Sequence, residues 1–337
     1  MIRANPDVKF QLIQEMTNSD NNMLNIAWLC EIAGVSRSGY YRWRKAETAR
    51  TARDARDKAD YDLVLEAYKH RGYDKGARGI HMRLLRRIPP VRMNTKKIRR
   101  LMNKYGLYCP IRQANPYRRM LRALRTNKVA PNIVARKFRE YGPRSILLTD
   151  ITYIRRGDSN FTYLSVIIDA CTRQVLAYVC SDSLKVDFVL ETVRMLMRNH
   201  GNTMNMGGKT LLHSDQGSHY TSYDFIDILN DYELHQSMSR KANCWDNAPQ
   251  ESFFGHMKDE VNVKGCTHNQ ICATINDWMD YYNNERYQWE LNKLSPNEFY
   301  EWVTDGVWPL EGASPPPPNF NPFVFQNDDD ASAQEEG

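Results

Sequence analysis

Three acidic residues have the types and spacing that favour metal-assisted chemistry on phosphodiesters. Asp150 lies inside the apolar run ILLTDITYI, Asp215 follows the run TLLHS, and Glu251 lies in the segment NAPQESFFGHMKDE. Thirty-five residues separate Asp215 from Glu251. Mg²⁺ prefers oxygen ligands, and two such ions about 3.5–4 Å apart can activate an attacking oxygen and stabilise a leaving one. The trio is therefore a candidate two-metal site for cutting and joining phosphodiesters.

Taken singly, the three carboxylates differ in how well an ordinary structural role explains them. Asp150 fits such a role least, because an unpaired carboxylate inside an apolar run is costly to bury. Asp215 in HSDQGS is equally compatible with a simple turn, and Glu251 alone is more typical of a solvated helix surface. Only the three together, at their spacing, favour the catalytic interpretation.

Three further residues near the trio have both a functional and a structural interpretation. Lys258 follows Glu251 by seven residues, which returns it to nearly the same helix face. We expect its ammonium to contact a phosphate of the bound strand, although a solvated lysine is the usual alternative. Asp169 could be a fourth ligand or a turn residue, and the turn is favoured. His213 could contact substrate or pack in the interior, and packing is favoured.

Apolar patterning predicts the elements that position these residues. Strand-like runs occupy about 145–154, 161–170 and 174–181, with further short strands at 210–215 and 234–239. Helical segments are expected at 186–200, 222–232, 247–260 and 267–285. Three antiparallel strands followed by helix–strand units predict an α/β fold, a mixed sheet flanked by helices. Asp150 and Asp215 would then lie on neighbouring strands, and Glu251 on a helix.

An all-α region precedes this sheet and begins with a helix-turn-helix pattern. Residues 24–45 read as helix, glycine turn and helix, with Leu24, Trp28, Leu29 and Ile32 as the expected apolar face. The second helix would present basic side chains to DNA. They are Arg37, Arg42 and Arg44. A plain helical hairpin has the same pattern.

A second basic helical region spans about 54–106, with helices expected near 57–71, 79–88 and 94–105. The last helix, capped by Asn94, is crowded with cations that we predict to contact DNA. These are Lys96, Lys97, Arg99 and Arg100. Prolines interrupt residues 111–144, which read as a basic linker. The proline-rich acidic end from about 306 reads as a disordered tail.

Charge is distributed very unevenly along the chain. Residues 1–144 hold 33 lysines and arginines against 12 acidic residues, whereas residues 145–337 hold 13 against 28. This asymmetry favours a polyanion-binding part joined to a metal-dependent part over a merely solvated basic surface.

The whole-chain composition bounds the class of protein. The 337 residues allow two or three domains, and no apolar run approaches the length of a membrane span. Seven scattered cysteines form neither CxxC nor finger spacings, which fits a reducing cytosol. The first residues lack the apolar core of a signal peptide. We therefore expect a cytoplasmic protein with no membrane partner.

Four segments make the chain resemble bacterial insertion-sequence transposases of the large family numbered three, specifically its downstream-frame product. They are TDITYI, HSDQGSHYTS, SRKANCWDNAPQESFFGHMKDE and YYNNERYQWELNKLSP. The resemblance covers about residues 24–302. It implies a ribonuclease-H-like integrase core in which Asp150, Asp215 and Glu251 are the catalytic, metal-binding triad and Lys258 is the accompanying basic residue. It also implies two Mg²⁺ or Mn²⁺ ions, DNA ends and target DNA as partners, and a homo-oligomer on DNA.

The chain also departs from that family. It has Ala242 where glycine is common and Gln250 where an apolar residue is common, and neither change removes a ligand. No sustained heptads precede residue 24. We therefore expect this chain to act as the downstream part of a two-frame fusion, with an upstream-frame product supplying recognition of the element ends. The competing hypotheses are a DNA-binding regulator or inactive remnant, and a ribonuclease-H-type nuclease.

Five segments follow from these predictions. They are a helix-turn-helix-like segment 1–50, a basic helical DNA-binding domain 51–110, a basic linker 111–144, a catalytic core 145–305 and a tail 306–337.

Overall fold

A computed structural model describes most of the chain. The described residues are 5–19, 23–72, 76–109, 141–158, 160–204, 210–215, 217–238, 248–312 and 314–320. They form two compact units. One comprises Met1–Glu66 with Ile98–Leu107, and the other comprises Ala67–Lys97 with Tyr108–Gly337. Most of the predicted linker 111–144 lies outside the described residues.

The first unit opens with three capped helices, α1 (Pro6–Thr17), α2 (Ile26–Ala33) and α3 (Arg37–Lys45). Gly34 ends α2 with φ 62°, a left-handed conformation that glycine adopts without steric cost. Ser36 begins α3 by accepting a hydrogen bond from the Gly39 N–H. The predicted helix, glycine turn and helix are thus confirmed, whereas α1 was not predicted.

The predicted apolar face of α2 was wrong in part. Trp28 and Ile32 are 58% and 70% exposed, while Leu29 and Cys30 are buried against Ile13 of α1 and Tyr40 of α3. Because α1 supplies one wall of this small core, the buried stripe of α2 faces a partner that the sequence analysis had not recognised.

Two longer segments complete the basic helical region. Helix α4 (Glu47–Lys69) begins ten residues before the helix predicted at 57–71, and α6 (Thr95–Lys104) agrees with its prediction. Asn94 accepts a hydrogen bond from the Lys97 N–H at 2.8 Å, as expected of a cap. Between them, α5 (Ala77–Leu84) ends before the Pro89–Pro90 pair.

The second unit contains a five-stranded mixed sheet. Its strands are β1 (Ile146–Arg155), β2 (Phe161–Asp169), β3 (Val175–Ser181), β4 (Leu211–Ser214) and β5 (His235–Met238). The order is β3-β2-β1-β4-β5, with β1, β2 and β3 antiparallel and β4 and β5 parallel to β1. The predicted mixed sheet is confirmed, and β1 lies at its centre.

Helices cover both faces of the sheet, which gives two apolar layers. On one face α7 (Asp187–His200) and α8 (Tyr223–Asp231) pack against residues such as Leu147 and Leu212. On the other face α9 (Ala248–Glu260) and α10 (His268–Asn284) pack against Leu148 and Leu211. Neighbouring residues of β1 and β4 therefore belong to opposite layers, as strand alternation requires.

Residues 306–312 and 314–320 belong to the predicted tail, and several of them pack against the second unit. Helix α11 (Pro296–Asp305) begins with a capping box between Ser295 and Glu298. Trp308, Leu310 and Phe320 pack on the cluster that contains Trp302, so the prediction of a disordered tail was wrong for this part. Covering a large buried indole is a sufficient reason for these apolar side chains to dock. Residues 321–337 lie outside the description.

In the portion of the chain that the structure covers, no helix is both long and apolar enough to span a bilayer.

Candidate active site

Strand β1 presents Asp150 toward helix α9. Side chains alternate along a strand, so Ile146, Leu148 and Asp150 share one face, and the first two belong to the layer under α9 and α10. Asp150 is only partly buried, and its Oδ1 accepts a hydrogen bond from the Ile151 N–H at 2.7 Å. On this face of β1, two buried apolar side chains are thus followed by the carboxylate of Asp150.

Asp215 follows the neighbouring parallel strand. Leu148 of β1 pairs with His213 of β4, and Asp215 comes directly after β4 ends at Ser214. Its carboxylate is exposed, and its Oδ1 accepts a hydrogen bond from the Gly217 N–H at 2.9 Å. Because β4 runs parallel to β1, its C-terminal end lies beside Asp150, as the sequence predicted.

Helix α9 carries Glu251 in its first turn and Lys258 in its last. Phe253, Phe254 and Met257 are buried and hold the helix on the sheet. Glu251 is exposed, so it lies at the margin of the helix face that these apolar anchors bury. The packing therefore fixes which side chains α9 can offer to solvent and substrate.

The electrostatics of Asp150 show that the four predicted side chains lie in one neighbourhood. The pKa of Asp150 is raised from 3.8 to about 7, with burial as the largest cause and the charges of Asp215 and Glu251 contributing to the rise. The Ile151 N–H and the Lys258 ammonium act in the opposite direction. Burial lowers the pKa of Lys258, and Asp150 opposes that shift. The charges of Asp215, Glu251 and Lys258 thus all act on the Asp150 carboxyl.

Tyr220 is a neighbour that the sequence analysis missed. Its hydroxyl is buried and lies 3.5 Å from Thr149 Oγ1. Burial raises its pKa well above the ordinary value of 10, and the charges of Asp150 and Asp215 add to the effect. The phenol therefore stays neutral beside the carboxylates. Its position in HSDQGSHY, five residues after Asp215, was the available signal.

The donor set suits a hard divalent cation, but the side chains are not gathered around one point. Among the residues described, no three His, Cys, Asp or Glu side chains lie close enough to hold a metal ion. Carboxylates at ligand distance repel one another, and the raised pKa of Asp150 already reflects part of that repulsion. Carboxylate oxygens are the ligands that Mg²⁺ and Mn²⁺ prefer, so the types of these side chains match such a site.

Asp169 lies in a structural ion pair and not beside the other acids. Its buried carboxylate accepts hydrogen bonds from the Arg144 guanidinium at 2.8 Å and from the N–H groups of Arg144, Cys171 and Thr172. It is fully buried, and the Arg144 side chain is 3% exposed. The turn interpretation is therefore confirmed over the fourth-ligand one.

His213 and Gln250 are buried polar residues on the layer beneath the site. His213 Nδ1 lies 3.0 Å from Ser237 Oγ, and burial lowers the His213 pKa to about 4. The packing interpretation of His213 is thus confirmed. Gln250 Nε2 donates to the Val166 carbonyl at 3.3 Å, and Val166 is the β2 partner of Asp150. This bond ties the residue before Glu251 to the register position of Asp150. Ala242 lies outside the described residues.

The predicted DNA contacts fall into two groups. Arg37, Arg42 and Arg44 are exposed on α3, and Lys96 and Arg99 are exposed on α6, while Lys97 is half-buried. Arg100 differs, because its guanidinium donates two hydrogen bonds of 2.7 Å to the buried carboxylate of Asp57. This bidentate pair holds α6 on α4 and occupies the fork that a phosphate would need.

Comparisons with known proteins agree with this architecture. Residues 140–244 match the family model of the integrase core domain, residues 232–296 match a second integrase core model, and residues 55–115 match an HTH-like domain. The helix-turn-helix-like match thus covers the second basic region and not residues 24–45. The fold and these matches together define a protein whose sequence has a helical, helix-turn-helix-like region followed by an integrase-type core.

Individual relatives specify the class further. An uncharacterised transposase-like protein of Haemophilus influenzae is 33% identical over 61% of this chain and 92% of its own length. The transposase InsF for insertion sequence IS3A of Escherichia coli is 28% identical over 82% of this chain and 93% of its own length. The chain belongs to this family of insertion-sequence transposases.

Among solved structures, the chain is similar to the HTLV-2 integrase catalytic core domain in complex with magnesium. The sequence identity is 16%, the match covers 48% of this chain and 99% of that one, and the TM-score is 0.35.

Proposed function

We propose that this transposase cleaves the ends of an insertion element and joins them to target DNA with divalent metal ions. The observation that carries the proposal is the convergence of three acidic charges on one edge of the sheet. Asp215 and Glu251 both raise the pKa of the partly buried Asp150. A cation bound there would offset the repulsion among the three carboxylates. Metal binding therefore explains why the acids lie together, which an ordinary solvated surface does not.

The side chains around that edge have distinct roles in the proposal. Asp150, Asp215 and Glu251 would hold the metal ions, of which there are two if the family's chemistry applies. Bound there, Mg²⁺ or Mn²⁺ supplies activation of the attacking oxygen and stabilisation of the leaving oxygen. Lys258 lies near enough to affect the Asp150 charge, and its ammonium would hold a phosphate of the bound strand. Tyr220 keeps a neutral hydroxyl beside Thr149, in the apolar layer that α7 and α8 cover.

The partners and location of the protein follow from the same proposal. DNA is the substrate, with the exposed arginines of α3 and the exposed cations of α6 as its contacts outside the core. Further copies of the chain and an upstream-frame product would complete the assembly on the element ends. The six cysteines among the described residues are free thiols, which suits a cytoplasmic site of action beside the DNA.

Loss of nicking on removal of single charges tests the site. Asp150→Asn and Glu251→Gln should each lower Mn²⁺-dependent nicking of duplexes carrying the terminal repeats that flank the gene, by about 100-fold or more. Both variants should still bind those duplexes in EDTA. Asp158→Asn is the matched control, because Asp158 is an exposed carboxylate of the β1–β2 loop, and it should nick normally.

Two outcomes would contradict the proposal. Nicking that survives in both variants would remove Asp150 and Glu251 from the site. Metal-independent binding without nicking in the native chain would favour a DNA-binding regulator or an inactive remnant.

A further inference from the structure

A short loop after α10 is closed tightly on itself. Gln288 and Leu294 form an isolated antiparallel bridge, with the Gln288 N–H donating to the Leu294 carbonyl at 2.9 Å. The Lys293 N–H returns to the Gln288 carbonyl at 3.0 Å. Leu291 and Leu294 are fully buried. Two buried leucines and paired ends therefore fix the backbone of residues 288–294 in one conformation.

The same loop contains two consecutive non-glycine residues in the left-handed region. Asn292 has φ 52° and Lys293 has φ 67°. Side chains rarely adopt this conformation, and such residues persist where the surrounding contacts over-determine them. The backbone of the loop thus forms a fixed turn, and this turn places Trp289 and Lys293 on the same small surface.

Trp289 points outward from this loop between basic side chains. It is 44% exposed, although the two leucines near it are fully buried. The Arg78 guanidinium lies 5.3 Å from the centre of its ring, and the Lys293 ammonium lies 5.4 Å from it. The His81 ring is 6.1 Å away and is held by a 2.8 Å contact between its Nδ1 and the Met93 carbonyl. We call this group, Arg78, His81, Trp289 and Lys293, the tryptophan platform.

The platform differs from the neighbouring arginine–tyrosine contacts. Arg83 and Arg86 also lie over an aromatic ring, that of Tyr287. Each of them is paired with a carboxylate, Arg83 with Glu285 and Arg86 with Glu298. By contrast, within the described part of the chain no carboxylate forms an ion pair with Arg78 or Lys293. Their positive charges are therefore available to an external anion.

A largely buried ion pair connects the loop of the platform to helix α9. Arg286, three residues before Trp289, donates hydrogen bonds of 2.8 and 3.0 Å to Glu260, the last residue of α9. This pair is largely buried. Helix α9 also carries Glu251 and Lys258. The ion pair therefore links the segment that leads into the loop directly to the C-terminal end of α9.

We propose that the tryptophan platform binds an unpaired base of a DNA strand, with the base stacked on Trp289 and the flanking phosphates on Arg78 and Lys293. The indole is exposed and lies between two cations that form no ion pair with any described residue. This chemistry suits single-stranded DNA, since every base offers a π-face and every linkage an anion. The choice of DNA as the ligand rests on the proposed function. The stacking site itself rests on the geometry of the loop.

Binding of single-stranded DNA in the absence of cleavage tests the platform. The probe is a fluorescein-labelled oligothymidylate of about 15 nucleotides, measured by anisotropy with the full chain in EDTA. Trp289→Ala should weaken binding by about 5- to 100-fold, whereas Trp289→Phe should keep most of the affinity because it retains a ring. Tyr223→Ala is the control, because Tyr223 is an exposed aromatic residue on α8, and it should bind normally.

Two further measurements separate stacking from packing and from catalysis. Arg78→Gln and Lys293→Gln should each make the salt dependence of binding shallower, and Trp289→Ala should leave the affinity for a fully paired duplex unchanged. Binding is measured in EDTA, where no nicking takes place, so a failed nicking assay would not affect this result. Native affinity in Trp289→Ala, or equal losses in Trp289→Phe and Trp289→Ala, would overturn the platform.

Discussion

At the scale of single residues, Asp150 has an electrostatic cost that the sequence made visible in advance. A carboxylate inside an apolar run is expensive to bury without a partner. In the folded chain that cost takes the form of a pKa raised to about 7, with burial as the main cause and two neighbouring acids adding to it. Such a cost is retained where the carboxylate has a function. A partly buried acid with a raised pKa therefore indicates a functional site.

The raised pKa predicts that Asp150→Asn stabilises the metal-free protein at high pH. Near pH 4 the carboxyl is protonated in the folded chain and about half ionised in the unfolded chain, so the substitution has only a small effect. As the pH rises from about 4 to about 7, the unfolded chain ionises first, so the native protein loses stability that the asparagine variant keeps. At pH 8 the variant should be more stable by on the order of 2–4 kcal/mol.

Urea unfolding in EDTA at pH 4 and pH 8 measures this difference. Asp158→Asn is the control, because hydrogen bonds from Asn160 lower the pKa of the exposed Asp158, and no gain at pH 8 is expected from it. An equal effect of Asp150→Asn at both pH values would contradict the raised pKa.

At the scale of elements, local pattern predicted most of the core. Alternation and apolar runs identified the five strands, and the helix that carries Glu251 and Lys258 begins and ends within a residue or two of its expected positions. Asp150, Asp215 and Glu251 could be predicted because strand ends and helix faces place side chains by geometry alone. Their specific catalytic roles remain predictions.

Features that depend on tertiary partners were not predictable in the same way. The buried side of α2 depends on α1, so its exposed Trp28 and Ile32 could not be distinguished from core residues by spacing. Tyr220 affects the site only because the fold buries it beside Thr149. Likewise, the partner of Arg100 is Asp57, 43 residues away in the sequence, so a basic helix face alone could not separate it from DNA-facing cations.

The buried pair between Arg144 and Asp169 predicts a large stability effect at the edge of the sheet. Asp169→Asn should lower the free energy of unfolding by about 3–5 kcal/mol, because the Arg144 charge would remain buried without its partner. Glu191→Gln is the control, since Glu191 forms exposed pairs on α7, and it should change stability by less than about 1 kcal/mol.

Urea unfolding measures both variants, and a nicking assay at a temperature where Asp169→Asn is still folded completes the test. If Asp169 has only a structural role, the folded Asp169→Asn variant should still nick DNA at that temperature. Lost nicking with unchanged stability would instead make Asp169 a fourth ligand.

At the scale of the whole molecule, charge and architecture divide the chain in a similar way. The basic part of the sequence supplies helices with exposed cations, and the acidic part supplies the sheet and its carboxylates. A negatively charged core would repel DNA at long range, so the positive helices must provide most of the non-specific attraction. The tryptophan platform combines Arg78 from the basic part of the sequence with Trp289 and Lys293 from the acidic part, so it offers a bound strand positive charge next to the acidic part.

This division predicts that charges on α3 and equal charges on α7 affect DNA binding differently. Arg42→Gln with Arg44→Gln removes two exposed cations from α3. If both contact phosphates, the slope of log K against log salt for duplex binding should become shallower by about 1.8. Arg194→Gln with Arg198→Gln removes the same charge from α7, where both arginines pair with Glu191, and should leave the slope unchanged. Anisotropy titrations in EDTA over a range of salt concentrations measure both slopes, and equal slopes in the two double variants would show that net charge alone, and not the α3 surface, attracts the DNA.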